Sequence, residues 1–159
     1  MDYGSELLLE TFIAECPART GRLLDLGCGY GPVGIVLKRV FPALDVTLSD
    51  INTRALELAR QNARANQTAG VQIVKSDGLG ALSGPYDFIL TNPPIRAGKA
   101  TVHRFFAEAR EKLGSGGLLY VVIQKKQGAP SALKRLRELF ADVEVIEHSA
   151  GYWVIRARA

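Results

Sequence analysis

The chain has 159 residues, 47% of them hydrophobic and 23% charged, close to the ~100–150 residues of a common single domain. No apolar run approaches the ~20 residues of a membrane span, and the first residues carry acids rather than a basic leader, which argues against a secretory signal, so the cytoplasm is expected. The formal net charge of +4 is uneven: residues 1–95 sum to −2, residues 96–137 to +8 and residues 138–159 to −2.

A leading helix over Ser5–Glu15 carries Leu9, Phe12 and Ile13 on one face. Seven β-rich runs follow: Arg22–Leu26, Asp45–Ser49, Val71–Lys75, Tyr86–Thr91, Gly117–Gln124, Val143–Glu147 and Tyr152–Arg158. Helical stripes lie between them, such as Val33, Val36, Leu37 and Val40, or Val102, Phe105, Phe106 and Ala109. This alternation predicts βαβ units on a mostly parallel sheet with helices on both faces. Pro32 suits a first helical turn, Asn52 an N-cap and Gly114 the stop of the helix before the fifth strand. Ser149-Ala150-Gly151 is too short for a crossover, so the last two strands form an antiparallel hairpin. Cys16 and Cys28 have neither paired spacing nor a histidine cluster, so no disulfide framework and no metal site is expected.

The first strand runs into Asp25-Leu26-Gly27-Cys28-Gly29-Tyr30-Gly31-Pro32-Val33-Gly34. Glycines at a strand-to-helix turn open the backbone N–H groups and the helix N-terminus to a ligand. The spacing Gly29-x-Gly31-x-x-Gly34, with Asp50 ending the second strand, also matches the dinucleotide fingerprint, so a nicotinamide-dependent oxidoreductase is weighed. Asp25 tilts the choice: a carboxylate there repels a pyrophosphate but suits a cationic amino or sulfonium group. Asp50 is placed for ribose hydroxyls and Asp77-Gly78, after the third strand, for an adenine amino group. In doubly wound sheets such strand ends share one crevice.

The fourth strand ends in Asn92-Pro93-Pro94-Ile95. Two prolines make the turn rigid and remove N–H donors, leaving the Asn92 side-chain oxygen and the Pro93 carbonyl to accept from an NH₂ group. This turn, with Asp25-Leu26-Gly27-Cys28-Gly29 upstream, resembles class I S-adenosylmethionine-dependent methyltransferases that act on amino groups. Asp2-Tyr3-Gly4-Ser5, Asn92 through Lys99 and Val122 through Ala129 extend the resemblance to the small-methyltransferase domain family, whose best-known members are the C-type guanine-N2 methyltransferases of small-subunit ribosomal RNA.

The resemblance implies a Rossmann-like, seven-stranded, mostly parallel sheet in one domain over residues 1–159. The N-terminal helix is 5–15, the cofactor half 22–78, the substrate turn 92–99 and the C-terminal hairpin 143–158. S-adenosyl-L-methionine is then expected on Asp25, Gly27, Cys28, Gly29, Gly31, Asp50, Ile51, Asp77, Gly78 and Asn92, and the target amine on Asn92, Pro93, Pro94 and Ile95. Family members usually carry an extension before the Asp-x-Gly-Ser segment, and this sequence starts at that segment, so recognition is expected from the catalytic face or from a partner. Ile95 stands where many amino methyltransferases have Tyr or Phe, which weakens the adenine-N6 reading.

The +8 segment opens beside this turn. Arg96, Lys99, Arg104, Lys125 and Lys126 are expected to contact ribosomal RNA or the small ribosomal subunit, while Lys134, Arg135 and Arg137 read as a solvated helix face. Phe105, Phe106 and Trp153 read as packing residues, and His103 as a polar residue at a helix start. The reading is an RNA guanine-N2 methyltransferase without metal. The alternatives are a methyltransferase for adenine N6 or a protein glutamine amide, and a non-catalytic RNA-binding relic.

Overall fold

The computed structural model describes residues 1–15 and 17–159; Cys16 lies outside the described residues. The elements run α1 (Tyr3–Glu15), β1 (Gly21–Leu26), α2 (Pro32–Val40), β2 (Leu44–Asp50), α3 (Thr53–Ala65), β3 (Gln72–Lys75) and β4 (Tyr86–Thr91). They continue with α4 (Lys99–Lys112), β5 (Leu113–Gln124), α5 (Ala129–Leu139), β6 (Asp142–Ser149) and β7 (Tyr152–Arg158). One seven-stranded sheet has the order β3-β2-β1-β4-β5-β7-β6. Strands β1 to β5 pair in parallel, and β7 runs antiparallel to both β5 and β6. The reversed strand is therefore inserted between β5 and β6 rather than placed at the sheet edge.

Alternation along the strands sorts the core into two layers. Leu23, Val46, Leu48, Phe88, Leu90 and Tyr120 face α1, α2 and α3. Leu24, Leu26, Ile89, Leu119, Val121 and Ile123 face α4 and α5. Phe12 fastens α1 to the first layer, edge-to-face with Phe41, Phe88 and Tyr120. The far end of α1 is held by Glu15, which accepts from the Tyr120 hydroxyl at 2.7 Å and pairs with Arg156 at 2.9 Å. Anchored so, the helix brings its first residues to the carboxyl ends of the strands.

Local signals place the boundaries. Pro32 begins α2, and the Asn52 side chain accepts from the Ala55 N–H at 3.1 Å as the cap of α3. Ala150 and Gly151, with φ of 50° and 82°, turn the β6–β7 hairpin, as a tight turn matched to strand twist requires. Gly114 does not stop α4. The helix passes straight into β5 at Leu113, which is extended and pairs with Tyr86, and the register then jumps from Tyr86–Leu113 to Phe88–Leu118. The glycines of residues 114–117 take up this bulge.

Candidate cofactor and substrate site

Strand order reverses between β1 and β4, and the loops after β1, β2, β3 and β4 meet over that point, where open α/β sheets bind ligands. Thr91 closes the seam by donating to the Leu26 carbonyl at 3.0 Å. Two hollows lie there. The first, of about 110 Å³, is lined by Gly27, Ser49, Asp50, Ile51, Asp77 and Phe105, among others. The second, of about 150 Å³, is lined by Asp2, Ser5, Cys28, Gly29 and Tyr30. Gly27 and Asn92 line both, so the hollows form one groove with those two residues at its waist.

Gly27 and Gly29 have φ of 71° and 58°, and a Cβ on either would meet nothing within 4 Å. They are needed for the left-handed backbone, and the space above them is the groove itself. Asp50 shapes this loop: one carboxylate oxygen accepts from the Gly29 N–H and the other from the Asn52 N–H, both at 2.9 Å. A carboxylate offers about four lone-pair directions, so it retains acceptors for a ligand. Ile51, 60% exposed, stands beside it as an apolar wall.

Asp25 sits differently from its expected place on a cationic tail. It is buried beneath the loop, lines neither hollow and accepts from the Gly34 N–H at 3.0 Å. Burial raises its pKa to about 7, against the lowering effect of the Gly34 bond and with added repulsion from Asp50. Its place is under the N-terminus of α2. Cys28 lines the second hollow, but its thiol donates to the Gly29 carbonyl, and burial first, then Asp25 and Asp50, raise its pKa. No thiolate nucleophile is available there. Gly31 ends the loop as the residue preceding α2, with φ of 92°.

At the end of the groove beyond β3, Asp77 and Gly78 are held from α4. Arg104 donates to Asp77 at 2.8 Å and to Glu108 at 3.0 Å, with its guanidinium over the Phe105 ring, while Glu108 accepts from the Leu79 N–H at 3.0 Å. This corrects one reading and adds to another. Arg104 is committed to two acids and braces the groove instead of standing free for RNA, and Phe105 packs in the core as expected and also lines the groove.

Asn92 is braced from the far end of the chain. Its Nδ2 donates to Asp2 Oδ1 at 3.3 Å and to Ser5 Oγ at 3.2 Å. A carboxylate only accepts, so the amide's NH₂ must face α1, and Oδ1 is left as its acceptor. Asp2 also caps α1 by accepting from the Ser5 N–H at 2.8 Å. A Cβ on Gly4 would come within 2.9 Å of Tyr152 and 3.2 Å of Asn92 Nδ2, so glycine lets the helix start approach this closely. Asp2, Gly4 and Ser5 thus acquire a physical role that sequence reasoning left unassigned.

Sequence reasoning also passed over Ser49. Its Oγ is buried without a hydrogen-bond partner among the described residues, and the residue lines the first hollow. Such an orphan costs roughly 1–3 kcal/mol until something bonds to it. The groove thus offers acids and an orphan hydroxyl, apolar walls at Ile51 and Phe105, and the Gly27 amide at the other end. That set suits an adenosyl group joined to an amino-acid tail. Arg96, Lys99, Lys125 and Lys126 are exposed around the substrate side of this edge, and none has an acid within 4 Å among the described residues. Among the described residues no cluster of three or more His, Cys, Asp or Glu is placed to hold a metal, and no helix is long and apolar enough to cross a membrane.

A profile of the methyltransferase small domain family matches residues 1–156. The chain is 46% identical to the uncharacterized protein YbxB of Bacillus subtilis, over 99% of this chain and 79% of that protein. It is 34% identical to the ribosomal RNA small subunit methyltransferase C of Actinobacillus pleuropneumoniae, covering all of this chain and 48% of the relative. The chain thus spans about half the length of such relatives. The T. thermophilus 16S rRNA N2 methyltransferase RsmC, solved in complex with AdoMet and guanosine, superposes with a TM-score of 0.87 at 28% identity, covering 99% of this chain and 43% of that one. A groove at the switch point, a brace on the Asn-Pro-Pro turn and a family match along nearly the whole chain agree: this chain belongs to the methyltransferase small domain family and is an S-adenosylmethionine-dependent methyltransferase.

Proposed function

We propose that the chain methylates the exocyclic N2 amine of a guanine in small-subunit ribosomal RNA, acting as a single domain over residues 1–159. The observation that carries this reading is the braced Asn92 amide at the waist of the groove, whose Oδ1 has no donor among the described residues, with cations unpaired among those residues flanking the turn. Its support from outside the chain is the similarity to the ribosomal RNA small subunit methyltransferases C and to RsmC.

The residues divide by chemistry. Asp50 would hold ribose hydroxyls, Ile51 and Phe105 the faces of the adenine, and Asp77 with Gly78 its edge. The Gly27 amide, with Cys28 and Gly29 beside it, would receive the carboxylate end of the amino-acid tail. Asp25 contributes from below, through Gly34, by holding the loop and α2 together. When bound, S-adenosylmethionine supplies a methyl group already activated on a cationic sulfur.

The protein's task is then alignment. The guanine N2 lone pair is delocalised into the ring, which makes the amine a weak nucleophile. Asn92 Oδ1 and the Pro93 carbonyl accept its two N–H bonds and turn the lone pair toward the groove. The rigidity of Pro93-Pro94 and the grip of Asp2 and Ser5 hold both acceptors in place. Ile95 packs against the ring as an aliphatic wall, and Arg96, Lys99, Lys125 and Lys126 neutralise phosphates.

Radiolabelled methyl transfer to small-subunit particles and to naked 16S RNA, followed by nucleoside mass spectrometry, tests the assignment. The expected product is N2-methylguanosine. Methylated adenosine, or label in protein only, would replace guanine as the substrate, and RNA binding without any transfer would make the chain a relic.

A further inference from the structure

Between the first turns of α4 and α5 lies a third hollow, of about 110 Å³, which shares no residue with the cofactor groove. Its floor is Val102, Ile123 and Ala132, each no more than 3% exposed. Its mouth carries Lys99, His103 and Ser131. Pro94 lines the cofactor groove and Ile95 lines this hollow, and consecutive Cα atoms are ~3.8 Å apart. The two spaces are therefore neighbours across one residue of the amine-binding turn.

The size and lining select a ligand class. An enclosed apolar cavity of ~150 Å³ takes one benzene ring; at about 110 Å³ this hollow is smaller but open to one side, so it admits a single flat ring edge-first with part of the ring left at the mouth. The apolar floor suits the faces of that ring. Ser131 and Gln127 offer hydrogen-bonding groups to a polar ring edge. His103 stacks on Phe106, with ring centroids 5.7 Å apart. Burial, then Lys99 and Arg135, lower its pKa, so at neutral pH it adds an uncharged ring that both donates and accepts. No acid lines the hollow, and Lys99 at its mouth and Lys125 and Lys126 on the turn after β5 favour an attached anion.

We propose that this hollow holds a second unstacked nucleobase, that of the nucleotide next to the methylated one, with the linking phosphate neutralised by Lys99 and the Lys125–Lys126 turn. The proposal rests on the nucleic-acid substrate inferred above. It accounts for how this face grips a flipped nucleotide: the neighbour leaves the stack with it, and Ile95 separates the two bases.

The test is a cycle between pocket and base. Fluorescence anisotropy measures binding of single-stranded oligoribonucleotides with one guanine, intact or with an abasic residue on either side of it, to protein saturated with S-adenosylhomocysteine. Removing the base on one side is expected to weaken the wild type about five- to tenfold. Ser131→Leu, which narrows the mouth from a half-buried position, is expected to weaken the intact strand by a similar factor, and in that variant base removal changes affinity less than twofold. Its affinity for S-adenosylhomocysteine and its melting temperature should match the wild type; if they do not, Ala132→Val enters the same cycle from the floor. Full losses that multiply, or no loss at either abasic position, overturn the proposal. The underlying substrate assignment fails separately: coupled losses without N2-methylguanosine formation overturn guanine and keep the base pocket, whereas normal guanine methylation with multiplying losses removes only the pocket.

Discussion

On the cofactor side of the crevice Asp50 holds two backbone amides, Asp25 holds a third, and Arg104 lies between Asp77 and Glu108. Across the β4 turn, Arg96, Lys99, Lys125 and Lys126 have no acid within reach among the described residues, and the braced polar group is Asn92. A site for a small ligand of fixed shape gains from preorganisation, since loops already held need no ordering on binding. A surface for a long polyanion gains from solvated, unpaired cations, whose long-range attraction needs no fixed geometry. The contrast separates substitutions that affect cofactor affinity from those that affect substrate.

The largest expected effect comes from Asn92→Ala. Loss of the acceptor at the waist is expected to lower kcat at least ~100-fold, the scale of losing a preorganised polar contact at a reacting centre, while calorimetry finds S-adenosylmethionine affinity within about threefold of wild type. Ser5→Ala, which removes one of the two grips on the Asn92 amide, is expected to lower kcat in the same direction and by less. Asp50→Ala lies on the other side of the contrast. It releases the Gly29 and Asn52 amides as well as a proposed ribose contact, and charge-assisted bonds of roughly 1.5–3 kcal/mol each predict a fall in cofactor affinity of about 30-fold or more. RNA affinity in the absence of cofactor is expected to stay unchanged.

Smaller changes are expected from the cations. Lys125→Ala with Lys126→Ala is expected to weaken single-stranded RNA binding severalfold at low salt and to reduce the slope of log affinity against log salt by roughly 1.4, about 0.7 per phosphate contact. An equal loss of cofactor affinity would erase the contrast. Asp25→Asn acts on stability. The pKa of this carboxyl rises from 3.8 to about 7 on folding, so between these values the native state holds a proton that the unfolded chain has released. Its contribution is full below about pH 3.8 and is lost as pH rises through about 7. An asparagine carbonyl at this site still accepts from Gly34 but does not titrate. Thermal melts from pH 4 to 8 are therefore expected to show the variant gaining on the wild type as pH rises, and a constant difference would contradict the buried, protonatable carboxyl.

Much of the cofactor side was legible because its signals are local. Glycines after a strand, acids at strand ends and the Asn52 cap each lie within a few residues of what they act on. Gly114 misled because a glycine after a helix usually closes it, whereas here the chain needed slack for a bulge between β4 and β5. Arg104 misled because its i,i+4 partner Glu108 is close in sequence but Asp77, which completes the clamp, is 27 positions away. The brace on Asn92 spans 90 positions to Asp2 and 87 to Ser5. Neither short polar residue announces such a partner.

By itself, then, the order of residues determined the elements, their parallel arrangement, the glycine loop with its acids and the rigid Asn-Pro-Pro turn, because periodicity, backbone restriction and strand ends are properties of short segments. The tertiary structure decided which charges are spent and which remain free. It put Asp25 under the loop instead of in the groove, drew Arg104 into a clamp with Asp77 and Glu108, left Ser49 Oγ without a partner among the described residues, and opened a hollow between α4 and α5. Those outcomes depend on which helix ends meet at the sheet's carboxyl edge, and that follows from packing two separate layers on one sheet.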